Sequence, residues 1–426
     1  MYSLGELLVC QDSFKRGDQG EIEDLQRLFM QGMSRSFLKI SVFACLLLVL
    51  ALCACRGRVK PDSAVVASSF ADSAATSSGD NLFRYAKNVV AYPTDYGYWM
   101  EVLNPWDSAQ RLGTFALVDE SHHGQAIAAD GAAVIPIPVQ SVISFSSTQW
   151  SVFIELDEID RVKGILEGRN IHSPRMKELL ESGVVKDVGT ESAKNMELMI
   201  SMHPDIILYS PYFDGNQDPL SVTGAVLFPF ADYLEFTPLG RAEWIRVVGL
   251  LAGCSGRADA WFDDIERRYN ELRDLCADVP NRPTVFSDLA FNGQWYVAGG
   301  RSYIAQLFED AGADYLWKDN LSTASFPLDS ETILAKARHA DFWRVANSSS
   351  LPMTYETLKR ENALYALFDA YKNRRIIVCD IQETGYFETS QIEPDRLLGD
   401  FIQLFHPEVM EHYQSGYECK YYRLMR

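Results

Sequence analysis

From Gly256 to Cys276 the chain carries no internal glycine or proline, and Trp261, Ile265, Tyr269 and Leu272 recur at spacings of three or four among charged residues. That pattern predicts one amphipathic helix of about six turns, stopped by Pro280 and Pro283. The segments on either side read differently. Before it, short buried strands are expected at Val184 to Val188, Ile206 to Tyr209 and Ala225 to Phe228, with helices from Arg175 to Ser182 and Ser192 to Met202. After it, strands are expected at Thr284 to Ser287, Asp341 to Val345 and Ile376 to Cys379. Helices are expected there from Ser302 to Ala311, Ser330 to Ala337, Met353 to Tyr371 and Asp395 to Phe405. Strands alternating with helices imply parallel sheets covered by helices. The fold class expected is α/β: two α/β lobes with central sheets (81–254 and 279–426) joined by one long interlobe helix over 255–278. Residues from Leu82 to Asp119 are aromatic and β-branched, broken by Gly, Pro and Asn, which predicts an N-terminal β-rich addition of antiparallel strands.

The first 54 residues read as a targeting segment. From Met33 the sequence runs Met-Ser-Arg-Ser-Phe-Leu-Lys, then an apolar stretch from Ile40 to Leu52, then Cys53-Ala54-Cys55. A basic start, a short apolar core and a small residue before the cut are the parts of a signal peptide. The core is shorter than the ~20 residues of a membrane-spanning helix. Residues 1–32 are polar and precede the basic start, so translation is expected to begin at Met33. The ending resembles a bacterial lipobox, which implies that Cys55 becomes the acylated first residue. The protein is then exported to the cell envelope and held on the periplasmic side of a bacterial membrane by lipid alone. Residues 55–80, rich in Ser, Ala and Asp, predict a flexible tether of ~25–30 Å.

Net charge is −19. Such a surface repels nucleic acid and anionic headgroups and favours neutral or cationic cargo, or a basic partner. Beyond the signal only Cys55, Cys254, Cys276, Cys379 and Cys419 remain, with no CxxC pair, so neither a zinc ribbon nor a thioredoxin-like site is supported. Cys254 and Cys276 would lie ~33 Å apart along a continuous helix and could not bridge. Cys379 and Cys419 could pair in an exported protein, or all four could be small buried apolar residues. No G-x-S-x-G, H-E-x-x-H, P-loop or strand-borne G-x-G-x-x-G occurs, so no enzyme is expected and no catalytic residue is named.

Several segments resemble one family. His203-Pro204-Asp205-Ile206-Ile207-Leu208-Tyr209 is similar to its "K-P-D-L-V-I" strand entry. Gly299-Gly300-Arg301-Ser302-Tyr303 through Ala311-Gly312-Ala313 is similar to a second-lobe loop and helix. Tyr386-Phe387-Glu388 with Pro394-Asp395-Arg396 resembles the last pocket loop and helix start. Over residues 139–406 the chain resembles the class III substrate-binding proteins of ABC importers. The resemblance implies capture of a ferric siderophore, haem-like tetrapyrrole or vitamin B12 between the lobes. It implies delivery to a permease and ATPase of the iron-complex type by a monomer with no permanently bound cofactor. An iron chelate is the first expectation. The alternatives are a cobamide, direct zinc or manganese capture, and a chelatase-type enzyme. Two departures count against vitamin B12 itself: Arg301 stands where such members carry a docking Glu, and Gly385 where they carry an Asp that touches the corrin.

Ligands in open α/β sheets lie beyond the carboxyl ends of the strands. The stretches expected there are Ser146 to Trp150, Tyr209 to Asp214, Asn292 to Tyr296 and Tyr386 to Thr389. Aromatic rings suit flat conjugated cargo, which makes Trp150, Tyr209, Tyr212, Trp295, Tyr296, Tyr386 and Phe387 the candidate ligand contacts, with Tyr209 and Trp295 foremost. His172, in a loop before a predicted helix, is a candidate haem ligand; no resident metal site is expected. Permease-docking acids implied by the resemblance are Asp214 in the first lobe and Glu309 or Glu388 in the second. The run Glu155, Asp157, Glu158 reads as a solvated face.

Overall fold

The computed structural model describes residues 80–125, 131–169, 171–212, 218–349 and 351–426. Cys55, the signal and all of the tether but Asp80 lie outside the described residues, as does Asp214.

The described residues begin with a four-stranded sheet: β1 (Val89–Thr94), β2 (Gly97–Leu103), β3 (Arg111–Val118) and β4 (Ala133–Pro136). The first three pair antiparallel and β4 joins β3 in parallel. Its seat on the first lobe is partly apolar, with the Phe115 ring stacked 4.6 Å from that of Phe228. The rest is polar. The buried Glu243 carboxylate accepts backbone N–H bonds from Arg84, Tyr85 and Ala86, and buried Glu235 does so from Lys87 and Asn88. Five orphan donors are thereby satisfied away from water.

The first lobe contains β5 (Val142–Ser144), β6 (Val162–Ile165), β7 (Lys186–Asp187), a hairpin of β8 (Gly189–Thr190) and β9 (Ala193–Lys194), β10 (Ile206–Tyr209) and β11 (Val226–Pro229). Its sheet is parallel in the order β11-β10-β5-β6-β7. The second lobe contains β12 (Thr284–Ser287), β13 (Ala290–Phe291), β14 (Gln294–Val297), β15 (Asp314–Tyr315), β16 (Phe326–Leu328), β17 (Phe342–Asn347), β18 (Ile376–Asp380) and β19 (Arg423–Leu424). Its main sheet runs β15-β12-β17-β18-β19, with only β19 antiparallel, while β13, β14 and β16 form a small separate sheet.

Seven helices place the site. They are α1 (Ser147–Glu155), α2 (Pro174–Glu181), α3 (Ile245–Leu251), α4 (Ser255–Leu275), α5 (Tyr303–Asp310), α6 (Tyr386–Thr389) and α7 (Pro394–Phe405). The interlobe helix is α4. It buries Ala258, Phe262, Ile265, Tyr269 and Leu272; Phe262 rather than Trp261 takes the inward position of that turn. Its start packs on α3 so closely that a Cβ on Gly249 would stand 2.4 Å from that of Ala258. Its middle ties to the second lobe through Arg268 to Asp395 at 2.8 Å and Tyr269 to Asp310 at 2.5 Å.

Two helix expectations need correction. The span from Met353 to Tyr371 is three pieces, Tyr355–Glu361, a 3-10 turn Ala363–Leu367, and Asp369–Lys372. Asn362 breaks it, extended at φ −150° with its side chain accepting from Leu364 N. The span from Ser192 starts instead as β9, and helix begins at Met196, where the Asn195 side chain caps Leu198 N. No disulfide joins Cys254, Cys276, Cys379 and Cys419; each is a thiol. Cys419 lies against the Asp400 carbonyl and Cys379 against the Thr384 hydroxyl, so the pairing of Cys379 with Cys419 does not form.

Candidate ligand-binding site

Helix α1 begins where β5 ends. Ser146 and Gln149 form a reciprocal capping box that satisfies two orphan N–H groups, so the stretch Ser146 to Trp150, expected as a loop, is a helix start. This brings α1 against α6 of the second lobe. The Ser147 hydroxyl donates to the Phe387 carbonyl at 3.2 Å, and Gln391 Nε2 lies 3.4 Å from the Thr148 carbonyl and 3.3 Å from the Ser151 hydroxyl. Elsewhere on the interface the first-lobe Arg241 guanidinium sits 4.0 Å over the Tyr303 ring of α5.

Along the α1–α6 seam lies a cleft of about 340 Å³. Trp150, Ile154 and Glu155 line it from α1, His172 from the loop before α2, and Glu383 and Lys420 from the second lobe. Burial and the charge of Glu393 push the Glu155 carboxyl up, while Lys420 and a Trp261 hydrogen bond pull it down. Lys420 is itself paired with Glu393. At one end of the cleft Gly385 is held at φ +61°, and a Cβ there would stand 3.3 Å from the His172 Cβ. Left-handed backbone and a close neighbour both favour glycine here.

The sequence candidates divide by location. Trp150 and His172 line the cleft, as does Glu388. Tyr386 is buried in edge-on contact with Phe387, Tyr421 and Tyr422, and Phe387 is half-buried at the seam. Tyr209, half-buried at the end of β10, and Tyr212, exposed beside Tyr233, do not line the cleft. Trp295 is a correction. It is 1% exposed, packs on Phe286, Trp343, Tyr365 and Phe368, and donates its indole N–H to the Ser287 carbonyl at 2.9 Å. The β13–β14 turn sends alternate residues to opposite faces, so Trp295 enters the second-lobe core and Tyr296 stays half-exposed away from the cleft. Glu388 is the second correction. At 5% exposure it cannot meet a docking partner, whereas Glu309 is exposed on α5.

Sequence reasoning passed over Glu155, Glu383 and Lys420. Glu155 keeps part of its surface in solvent while its carboxyl stands at the seam, where the cleft partly desolvates it. Lys420 lies far along the chain from any motif and arrives beside α1 only through the fold. His122 and His123 are held by Asp119 and by the Val118 and Ile137 carbonyls, on the N-terminal addition. Among the described residues no three His, Cys, Asp or Glu side chains converge as a metal site.

Residues 142–383, more than half of the chain, match the family model described as periplasmic binding protein. The chain belongs to this family. It is 29% identical over 307 residues to an uncharacterized lipoprotein of Methanocaldococcus jannaschii, covering 68% of this chain and 71% of that one. It is 24% identical over 227 residues to a cobalamin-binding protein of Halobacterium salinarum, covering 53% of this chain and 58% of the relative. Among solved structures, a periplasmic heme binding protein from Pseudomonas aeruginosa matches with a TM-score of 0.51 at 18% identity, over 63% of this chain and 93% of that chain. That likeness speaks for the two-lobe fold. No helix among the described residues is long and apolar enough to cross a membrane. The matched family and the similar solved structures are binding proteins.

Proposed function

We propose that this periplasmic binding protein is a lipid-anchored receptor, attached through Cys55, that captures a metal chelate between its lobes and hands it to an ABC permease and ATPase. The observation that carries the reading is the cleft at the α1–α6 seam, walled by both lobes and lined by Trp150 and His172. Trp150, at 2% exposure, forms part of the cleft wall, and the half-buried His172 imidazole is the group placed to meet a chelate as a metal or hydrogen-bond partner. The iron-chelate class, a ferric siderophore or a haem-like tetrapyrrole, remains the first reading. A cobamide is the second, favoured by the match to the cobalamin-binding relative. Glu155 and Glu383 leave acidic charge in the cleft once Lys420 is paired with Glu393, which selects against strongly anionic chelates in either class. Glu309 is the second-lobe docking acid that remains, with Asp214 its proposed first-lobe counterpart.

The experiment is a calorimetric titration of the purified protein with haemin, a ferric siderophore, cobalamin and zinc. Saturable one-to-one binding of a chelate, weakened at least tenfold by His172→Ala, supports the reading. Binding of zinc alone would replace the chelate with a bare cation, and silence across the panel would remove the cargo class while leaving the family standing.

A further inference from the structure

Glu388 sits on α6 in the second lobe, yet both its carboxylate oxygens are bonded in the first. Oε1 accepts the His172 backbone N–H at 2.5 Å and Oε2 accepts that of Ser173 at 2.7 Å. Those two donors stand immediately before helix α2, on its N-cap Ser173 and the residue preceding it, and the Ser173 side chain caps the first turn by accepting from Met176 N. Amides at a helix start have no intrahelical acceptor and carry the positive end of the helix dipole, so a carboxylate there is well placed. Both oxygens are used, the group is 5% exposed, and the charged acceptor makes each bond stronger than a neutral one. The neighbouring seam bonds are neutral and longer, at 3.2 to 3.4 Å. The His172 side chain lines the cleft beside this contact.

We infer that Glu388 is an interlobe latch, which clamps the start of α2 to α6 and keeps the seam shut before cargo arrives. The lobes are then held closed by the chain's own carboxylate, and access to the depth of the seam follows release of the two amides. This rests on the reading of the seam as the cargo cleft, but its test uses no cargo, so the two can fail separately.

The test follows the seam from inside. Ser151 lies on α1 at 2% exposure, bonded to Gln391. In the full chain carrying Ser151→Cys, alkylation of that thiol by iodoacetamide is timed by peptide mass spectrometry. Adding Glu388→Ala is expected to speed labelling about ten- to a hundredfold, the range set by hydrogen bonds to a charged group. Glu388→Gln, which keeps the shape and one acceptor, is expected to speed it by a smaller factor and stands in if the alanine variant does not fold. Glu383→Gln, an exposed cleft acid outside the contact, is expected to leave the rate within about twofold. Unchanged labelling in both Glu388 variants would reduce Glu388 to a local helix cap and overturn the latch. Equal acceleration by Glu383→Gln would overturn it too, by assigning the effect to cleft charge in general.

Discussion

Trp295→Ala separates a core aromatic from a ligand contact. Four aromatic rings surround the indole, with centroids 6.1 Å away for Phe286, 5.8 Å for Trp343, 5.6 Å for Tyr365 and 5.8 Å for Phe368. These rings also pack on one another, Phe286 on Trp343 at 5.2 Å and on Phe368 at 4.9 Å, so the site cannot collapse far into the space left behind. Truncating a core tryptophan costs about 3–5 kcal/mol. The upper part of that range is expected here, because the hydrogen bond to Ser287 is lost along with the packing. Urea unfolding followed by circular dichroism should show a lower midpoint at unchanged slope. Titration with whichever chelate binds the native protein, well below the transition, should give an unchanged dissociation constant. A tenfold loss of binding with an unchanged unfolding midpoint would refute the placement of Trp295 in the core.

Gly385→Ala is expected to cost about 1–2 kcal/mol, since a side chain must adopt φ +61° beside His172; thermal unfolding of the two proteins measures it. Asp232 gives a pH signature. Burial pushes its carboxyl from 3.8 up to about 6, against the pull of Arg241. A raised carboxyl favours the folded state fully below about pH 4 and loses that contribution as pH climbs through 6. The stability of the native protein minus that of Asp232→Asn should therefore fall by about 3 kcal/mol between pH 4 and pH 7, and a pH-independent difference would contradict it. Finally, reductant should leave the unfolding transition of the folded body unchanged, and peptide mapping should recover Cys379 and Cys419 as alkylatable thiols.

Much of the architecture was legible because it is written in periodicity. The long helix was expected from Gly256 to Cys276 and runs Ser255–Leu275, and the strands Ile206–Tyr209 and Thr284–Ser287 stand where their buried runs placed them. What escaped depends on contacts distant in sequence. Trp295 follows Asn292-Gly293-Gln294, a turn that looks like a cleft loop, and only the pairing of β14 with β13 and β16 turns the indole inward. Glu388 was an acidic residue in an aromatic stretch, and nothing local says that its partners are the amides of His172 and Ser173. Lys420 and Glu155 line one cleft from opposite lobes. The helix break at Asn362 was local and could have been read, since Asn caps the start of a turn as readily as it ends one.

A crystal structure with the chelate that titrates decides where the cargo sits. Density for one chelate is expected between α1 and α6, within bonding reach of His172. A chelate bound elsewhere on the molecule, with the α1–α6 seam unaltered, would contradict it.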